Sequence, residues 1–399
     1  MNELEAAASN SAGSIAEAAT RRAVRVAVIG GGASGEREVS LATARGVRGA
    51  LSAAPDGALH EAARATALEP ASDATAPSAE ELDALRVLDV LAIELETDGR
   101  WSFDGRTLDA AAALDALRDI DVFFLCLHGG AGEDGTLQGL LSASGRRHTG
   151  SGVRASALCM DKLALRGLAR ECGMRVAPGV CLGAGDWRTQ RPAELARALS
   201  ISRSGWVVKP RCGGSSVDTA IVHDAKALSL AIERVLAGGD DALVEARVDG
   251  VELSCGVLEG ANGSRALTPI EIQPRDGQFF DYEQKYSTQG AREVCPPENV
   301  DARSLRRVQA LAERIHRSAG CRGYSRTDFI VPRSTSSAGE TLFGEPVLLE
   351  VNTLPGLTER SLLPQEAADA GIGYRELCLR ILAAALRAPA DAAEPLSAV

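Results

Sequence analysis

Two short strands constrain this chain more than any other feature. Asp328-Phe329-Ile330-Val331 and Val347-Leu348-Leu349-Glu350-Val351 are apolar and rich in branched side chains, and the Ser- and Gly-rich stretch from Ser334 to Gly344 between them reads as a hairpin connection. Strand side chains alternate between faces, so Glu350 and Asn352 emerge on one side, where Asp328 of the neighbouring strand joins them. Two carboxylates and a carboxamide suit Mg²⁺, which takes few protein oxygens and keeps positions for phosphates. The absence of nearby His or Cys argues against zinc. The same pattern also describes a solvated strand edge, and spacing alone leaves both readings open.

The chain has 399 residues, 45% hydrophobic and 24% charged, enough for two or three domains with buried cores. Its longest apolar runs, such as Ile120 to Leu127, are strand-sized, so no membrane partner is expected. Residues 1–22 are rich in Ala, Ser and Glu, with no basic start and no hydrophobic block. They read as a disordered tail rather than a secretory signal, which points to the cytoplasm. The nine cysteines are scattered without a C-x-x-C pair, as expected of reduced thiols. Cys212 lies in a Gly-rich loop with only Arg211 as a basic neighbour, too little to activate a thiol. A net charge of -11 disfavours a nucleic-acid partner.

Of 43 basic residues only four are lysines, Lys162, Lys209, Lys226 and Lys285. Where arginine is so favoured, a retained lysine points to a task that needs a compact ammonium rather than a planar fork. Lys226, beside Asp224 at a helix start, reads instead as an incidental surface residue.

From the N-terminus, Arg25 to Ile29 forms a strand, and Gly30 to Gly35 a tight turn into a helix running from Glu36 through Val47. Gly30, Gly32 and Gly35 satisfy the dinucleotide fingerprint G-x-G-x-x-G. Glu36 and Glu38 oppose that reading, because they put negative charge where a pyrophosphate needs positive potential. These acids either bind an ammonium or merely complement the helix dipole. Residues 50–88 carry no motif. Leu91 to Phe103 reads as a hairpin across Asp98-Gly99, and Asp121 to Leu127 as a buried parallel strand that delivers the loop His128 to Gly135 at its carboxyl end. His128 is there either a hydrogen-bonded loop residue or a functional one. Further on, a helix is expected over Ser156 to Ala169, strands over Trp206 to Pro210, Ala242 to Glu245, Val251 to Leu258 and Ala266 to Ile272, and a helix over Ala302 to Ala319. Amides of the loop from Arg211 to Ser216 offer a phosphate cradle, although it is not a Walker loop. Asp281 to Tyr286 falls in a polar connection.

Gly35 to Ser40, His128 to Gly135, Thr149 to Gly152, Met160 to Lys162, Gly214 to Val217, Asp281 to Tyr286 and Glu350 to Gly356, in that order, resemble the D-alanine:D-alanine ligases of the ATP-grasp superfamily over roughly residues 24–386. The resemblance implies an α/β, three-domain ATP-grasp fold: an N-terminal Rossmann-like parallel sheet, and ATP held between two mainly antiparallel α+β domains. The expected boundaries are 23–150 for the substrate domain, 151–250 for the central subdomain and 251–388 for the catalytic domain, with a second tail over 389–399. It further implies ligation of two D-alanines through an acyl phosphate for peptidoglycan precursors, by a homodimer. An ATP-grasp ligase for another amino or hydroxy acid is the alternative.

The same resemblance assigns the site. Glu36 would hold the ammonium of the first D-alanine, with His128 near its carboxylate. Glu36, Ser215 and Tyr286 would form a hydrogen-bonded chain that closes loops over the substrates. Lys162, Lys209, Ser216 and Lys285 would serve the ATP phosphates, Glu245 and the backbone near Val248 the adenine, and Glu252 the ribose. Asp328, Glu350 and Asn352 would bind two Mg²⁺ or Mn²⁺ ions. Arg326 and the Gly356 amide would stabilise the tetrahedral oxyanion, and Ser361 with Leu362 would fix the second carboxylate. The chain departs from the family pattern at Asp218, where glycine is usual, and at Ile221, where lysine is usual. Without the freedom of glycine at positive φ, a different loop path is expected at Asp218.

Overall fold

A computed structural model describes residues 23–53, 82, 85, 87–214, 218–260, 263–274 and 291–387. The expectations for the tails, for most of 50–88, for Asp281 to Tyr286 and for Ser215 and Ser216 lie outside the described residues.

The first sheet has the order β4-β3-β2-β1-β5. Its parallel centre is β1 (Val24–Gly31) flanked by β2 (Val87–Leu95) and β5 (Val122–Leu125), and β3 (Trp101–Phe103) and β4 (Arg106–Leu108) extend it antiparallel. All four residues of β5 are buried, which is why that strand reads as an unbroken apolar run. Helix α1 (Arg37–Ser52) packs on β1 and β2. A Cβ on Gly30 would come within 2.7 Å of the Ala44 methyl, so glycine there permits this close helix–strand contact.

The next segment holds β6 (Arg175–Val176) and a four-stranded antiparallel sheet in the order β7-β10-β8-β9, formed by β7 (Gly179–Leu182), β8 (Trp206–Pro210), β9 (Ala220–Val222) and β10 (Ala242–Ala246). The third sheet is larger, with eight strands. It contains β11 (Gly250–Gly260), β12 (Gly263–Ala266), β13 (Ile270–Gln273), β14 (Arg292–Val294), β15 (Tyr324–Thr335), β16 (Thr341–Phe343) and β17 (Val347–Asn352), and it recruits β6 alongside β17. No helix among the described residues is long and apolar enough to cross a membrane.

Three details depart from expectation. The helix predicted over 156–169 is two helices, Val153–Met160 and Lys162–Glu171. Asp161 breaks it by acting as an N-cap, accepting from the Leu163 and Ala164 amides at 3.0 and 3.1 Å. The strand predicted over 266–272 is split between β12 and β13, because the intervening Pro269 has no N–H for the ladder. The predicted hairpin is longer than expected, since Arg333 to Thr335 pair with Thr341 to Phe343.

Candidate active site

The second and third sheets, with the start of α1 and the loop that follows β5, border one cavity of about 1110 Å³. Every described residue assigned to the site lines it: Glu36, His128, Lys162, Lys209, Glu245, Val248, Glu252, Arg326, Asp328, Glu350, Asn352, Gly356, Ser361 and Leu362. Ser215, Ser216, Lys285 and Tyr286 are outside the described residues.

At the first sheet, Glu36 occupies the N-cap of α1, but its side chain does not cap the helix. Its Oε2 lies 3.1 Å from where a Gly129 Cβ would stand and 3.6 Å from that of Gly214. Two glycine-bearing loops thus close around one carboxylate. Glu38 faces the same cavity, so this helix start presents acids to a ligand and not the bare amides that a pyrophosphate needs. His128 follows β5 and is buried. Its Nδ1 lies 3.2 Å from the Leu354 carbonyl and its Nε2 3.2 Å from Thr43 Oγ1. Burial lowers its pKa, against the opposing pull of Glu36. Glu133, on the same loop, accepts from the Gly129 amide at 3.1 Å, and burial raises its pKa to about 7.

The central part is cationic. Lys162 is buried and donates to the Gly213 carbonyl. Lys209 reaches Glu245 Oε2 at 2.7 Å, while the other Glu245 oxygen accepts from Arg166. Burial, then the neighbouring Lys162 ammonium, depresses the Lys209 pKa to about 7, against the opposing pull of the Glu350 carboxylate. Lys226 is exposed, away from the cavity.

The third sheet supplies the face read from its strand alternation. Asp328 stands opposite Glu350 and Arg326 opposite Asn352, with a bulge following Asp328. Asp328 Oδ1 accepts from Ser254 Oγ at 2.6 Å and Arg326 Nε at 3.0 Å. Its Oδ2 accepts from Arg326 Nη2 at 2.8 Å and Asn352 Nδ2 at 3.2 Å. Beyond β17, a Cβ on Gly356 would lie 2.9 Å from Ser361 Oγ, so the turn brings the Gly356 backbone onto that hydroxyl. Ser361 precedes the helix Leu362–Asp369.

Sequence reasoning passed over Arg166, Glu133, Thr43 and Ser254. Arg166 is buried, and its only signal in the sequence is its place four residues after Lys162. Ser254 is betrayed by being polar within the apolar strand β11. The expectation at Asp218 is corrected: its φ is +55°, so the backbone takes the left-handed conformation expected of glycine. Aspartate tolerates that region better than most residues because its short polar side chain can hydrogen-bond locally. Ile221 lines the cavity where the family pattern has lysine.

Residues 25–151 match the family described as D-ala D-ala ligase N-terminus, and residues 168–383 match D-ala D-ala ligase C-terminus. The chain is 35% identical over 362 residues to a D-alanine–D-alanine ligase of Nitratidesulfovibrio vulgaris, covering 90% of this chain and 97% of that one. It is 41% identical over 273 residues to the ligase of Citrifermentans bemidjiense, covering 68% and 80%. Among solved structures, the D-Ala:D-Ser ligase VanG of Enterococcus faecalis superposes with a TM-score of 0.67 at 26% identity, over 91% of this chain and all 100% of that one. The D-alanine–D-alanine ligase of Bacillus anthracis complexed with ATP gives 0.62 at 25% identity, over 92% and 98%. Acids at the start of α1, a lysine-bearing middle and a carboxylate-bearing third sheet around one cavity are thus joined to matches along almost all of the described chain, and the chain belongs to the D-alanine–D-alanine ligase family.

Proposed function

We propose that the protein joins two D-alanines to D-alanyl-D-alanine at the expense of ATP, supplying peptidoglycan precursors in the cytoplasm as a homodimer. One observation carries the reading: a single cavity unites Glu36, the lysines 162 and 209, and the Arg326, Asp328, Glu350 and Asn352 face. The domains divide at 23–150, 151–250 and 251–388. Glu36 binds the ammonium of the first D-alanine beside His128. The γ-phosphoryl group passes to the first carboxylate and ADP leaves; the amine of the second D-alanine then attacks the acyl carbon and phosphate departs. Lys162 and Lys209 offset the phosphate charge. Glu245, Val248 and Glu252 border the nucleoside. Arg326 and the Gly356 amide face the developing oxyanion, and Ser361 with Leu362 holds the second carboxylate. Ser215, Ser216, Lys285 and Tyr286 enter on family resemblance alone, as loop-closing and phosphate-binding residues that exclude water from the acyl phosphate.

The third-sheet face fits a hard divalent cation. Its donors are oxygens, and Asp328, Glu350 and Asn352 share one side of paired strands. Asn352 donates its amide nitrogen to Asp328 here, and turning the carboxamide end for end presents its oxygen to the same space. These residues would hold Mg²⁺ or Mn²⁺, which neutralises phosphate charge when bound. The reading is tested by phosphate release from MgATP with a panel of D- and L-amino acids, D-serine and D-lactate. D-alanine as the preferred partner for both positions is expected; preferential turnover with D-lactate or D-serine would overturn it.

A further inference from the structure

Thr43 belongs to no motif of the chain and lies in the middle of α1, on its fully buried face. Its hydroxyl stands 3.2 Å from His128 Nε2, and the other ring nitrogen stands 3.2 Å from the Leu354 carbonyl. A carbonyl can only accept, so Nδ1 carries the hydrogen, and in a neutral ring Nε2 is left as an acceptor for the Thr43 hydroxyl. Burial holds the ring neutral, helped by Arg326 on β15 and opposed by Glu36 and the Leu354 contact. Leu354 lies between Asn352 and Gly356, so the imidazole ties the loop after β5 to the turn that follows β17. A third bond braces that loop, from Ser34 Oγ to the His128 carbonyl at 2.6 Å.

We propose that Thr43 is a positioning residue: by donating to Nε2 it fixes the Nδ1–H tautomer of His128, whose bond to Leu354 holds the Asn352–Gly356 turn against the Glu36 end of the cavity. The ring then borders the first substrate without offering it an N–H, and its contribution is to join the two halves of the site. Without the Thr43 hydroxyl the two neutral tautomers compete, and in the Nε2–H form the Leu354 tie is lost.

The test uses the full chain labelled with ¹⁵N-histidine, which contains only five histidines, with His128→Gln to assign the His128 signals. Nitrogen shifts are expected to show Nδ1 protonated and Nε2 bare in the wild type and in Thr43→Ser, and a mixture in Thr43→Val. In kinetics, Thr43→Val should raise KM for the first D-alanine about tenfold, roughly 1.4 kcal/mol, with a smaller change in kcat, and Thr43→Ser should restore wild-type values. A protonated Nε2 in the wild type, or equal behaviour of Ser and Val, would overturn the proposal. The kinetic arm rests on the ligase reading and the nitrogen spectrum does not, so failure of one is distinguishable from failure of the other.

Discussion

Arg326 and Asp328 stand two residues apart on β15 and close a two-pronged ion pair, Nε to Oδ1 at 3.0 Å and Nη2 to Oδ2 at 2.8 Å. Their side chains are only 13% and 10% exposed. Strand alternation puts both on one face, where a planar guanidinium can grip both oxygens at once. Burial pulls the Arg326 pKa down, but the Asp328 carboxylate, with Glu350 and Glu366 beyond it, holds it above even its usual high value.

Arg326→Lys keeps the charge and loses the fork. We expect kcat to fall at least about 100-fold, roughly 2.7 kcal/mol of transition-state stabilisation, with Asp328 left to Ser254 and Asn352. Single-turnover phosphate release checks this, and a kcat within a few-fold of wild type would remove Arg326 from the chemistry.

The lysines make a graded test. Lys162→Met, Lys209→Met and Lys285→Met should each lower ATP turnover at least about tenfold, whereas Lys226→Met, on the exposed first turn of its helix, should be near neutral. Steady-state rates at saturating D-alanine decide the matter. Equal losses at all four positions would show that lysine scarcity carries no information here.

Glu133 predicts a pH dependence of stability. Its pKa rises from 4.5 to about 7 in the folded chain. Between these values the folded state holds a proton that the unfolded state has released, so stability falls as pH rises through that window. Because Glu133 is partly open to the cavity, water screens part of the effect, which we put at about 1–3 kcal/mol. Glu133→Gln should therefore raise the unfolding temperature of the ligand-free protein more at pH 8 than at pH 5. A gain that does not depend on pH would place the carboxyl pKa in its ordinary range.

The parts of this site that were legible in the sequence depend on periodicity or on rarity. Alternation alone put Glu350 and Asn352 on one face with Asp328, and the register of β15 with β17 has that arrangement. Lysine scarcity singled out Lys162 and Lys209, both of which line the cavity, and left Lys226 outside it. Contacts between distant segments were not legible. Arg166 meets Glu245 across 79 positions, and His128 meets Leu354 across 226, and neither pairing leaves a local pattern. Local capping was also missed: Asp161 looked like a helix interior residue, because a three-residue cap signal is weaker than a helical period spanning the break.

Asp218 is held at φ +55° in the stretch that leads into β9. A side chain in the left-handed region costs roughly 1–2 kcal/mol relative to glycine, and this one adds a negative charge beside a loop whose glycines line the cavity. Ile221, three residues on, supplies no cation to offset it. Asp218 is exposed, so the electrostatic part should be small and should weaken with salt. Asp218→Gly relieves both strain and charge, whereas Asp218→Asn relieves the charge alone. We expect Asp218→Gly to lower KM for ATP several-fold at low ionic strength with kcat within a few-fold of wild type, and Asp218→Asn to reproduce the part of that gain that disappears in about 0.5 M salt. Measurements at saturating D-alanine and Mg²⁺ separate the two contributions, and an unchanged or higher KM in the glycine variant would show that this departure from the family pattern is compensated elsewhere.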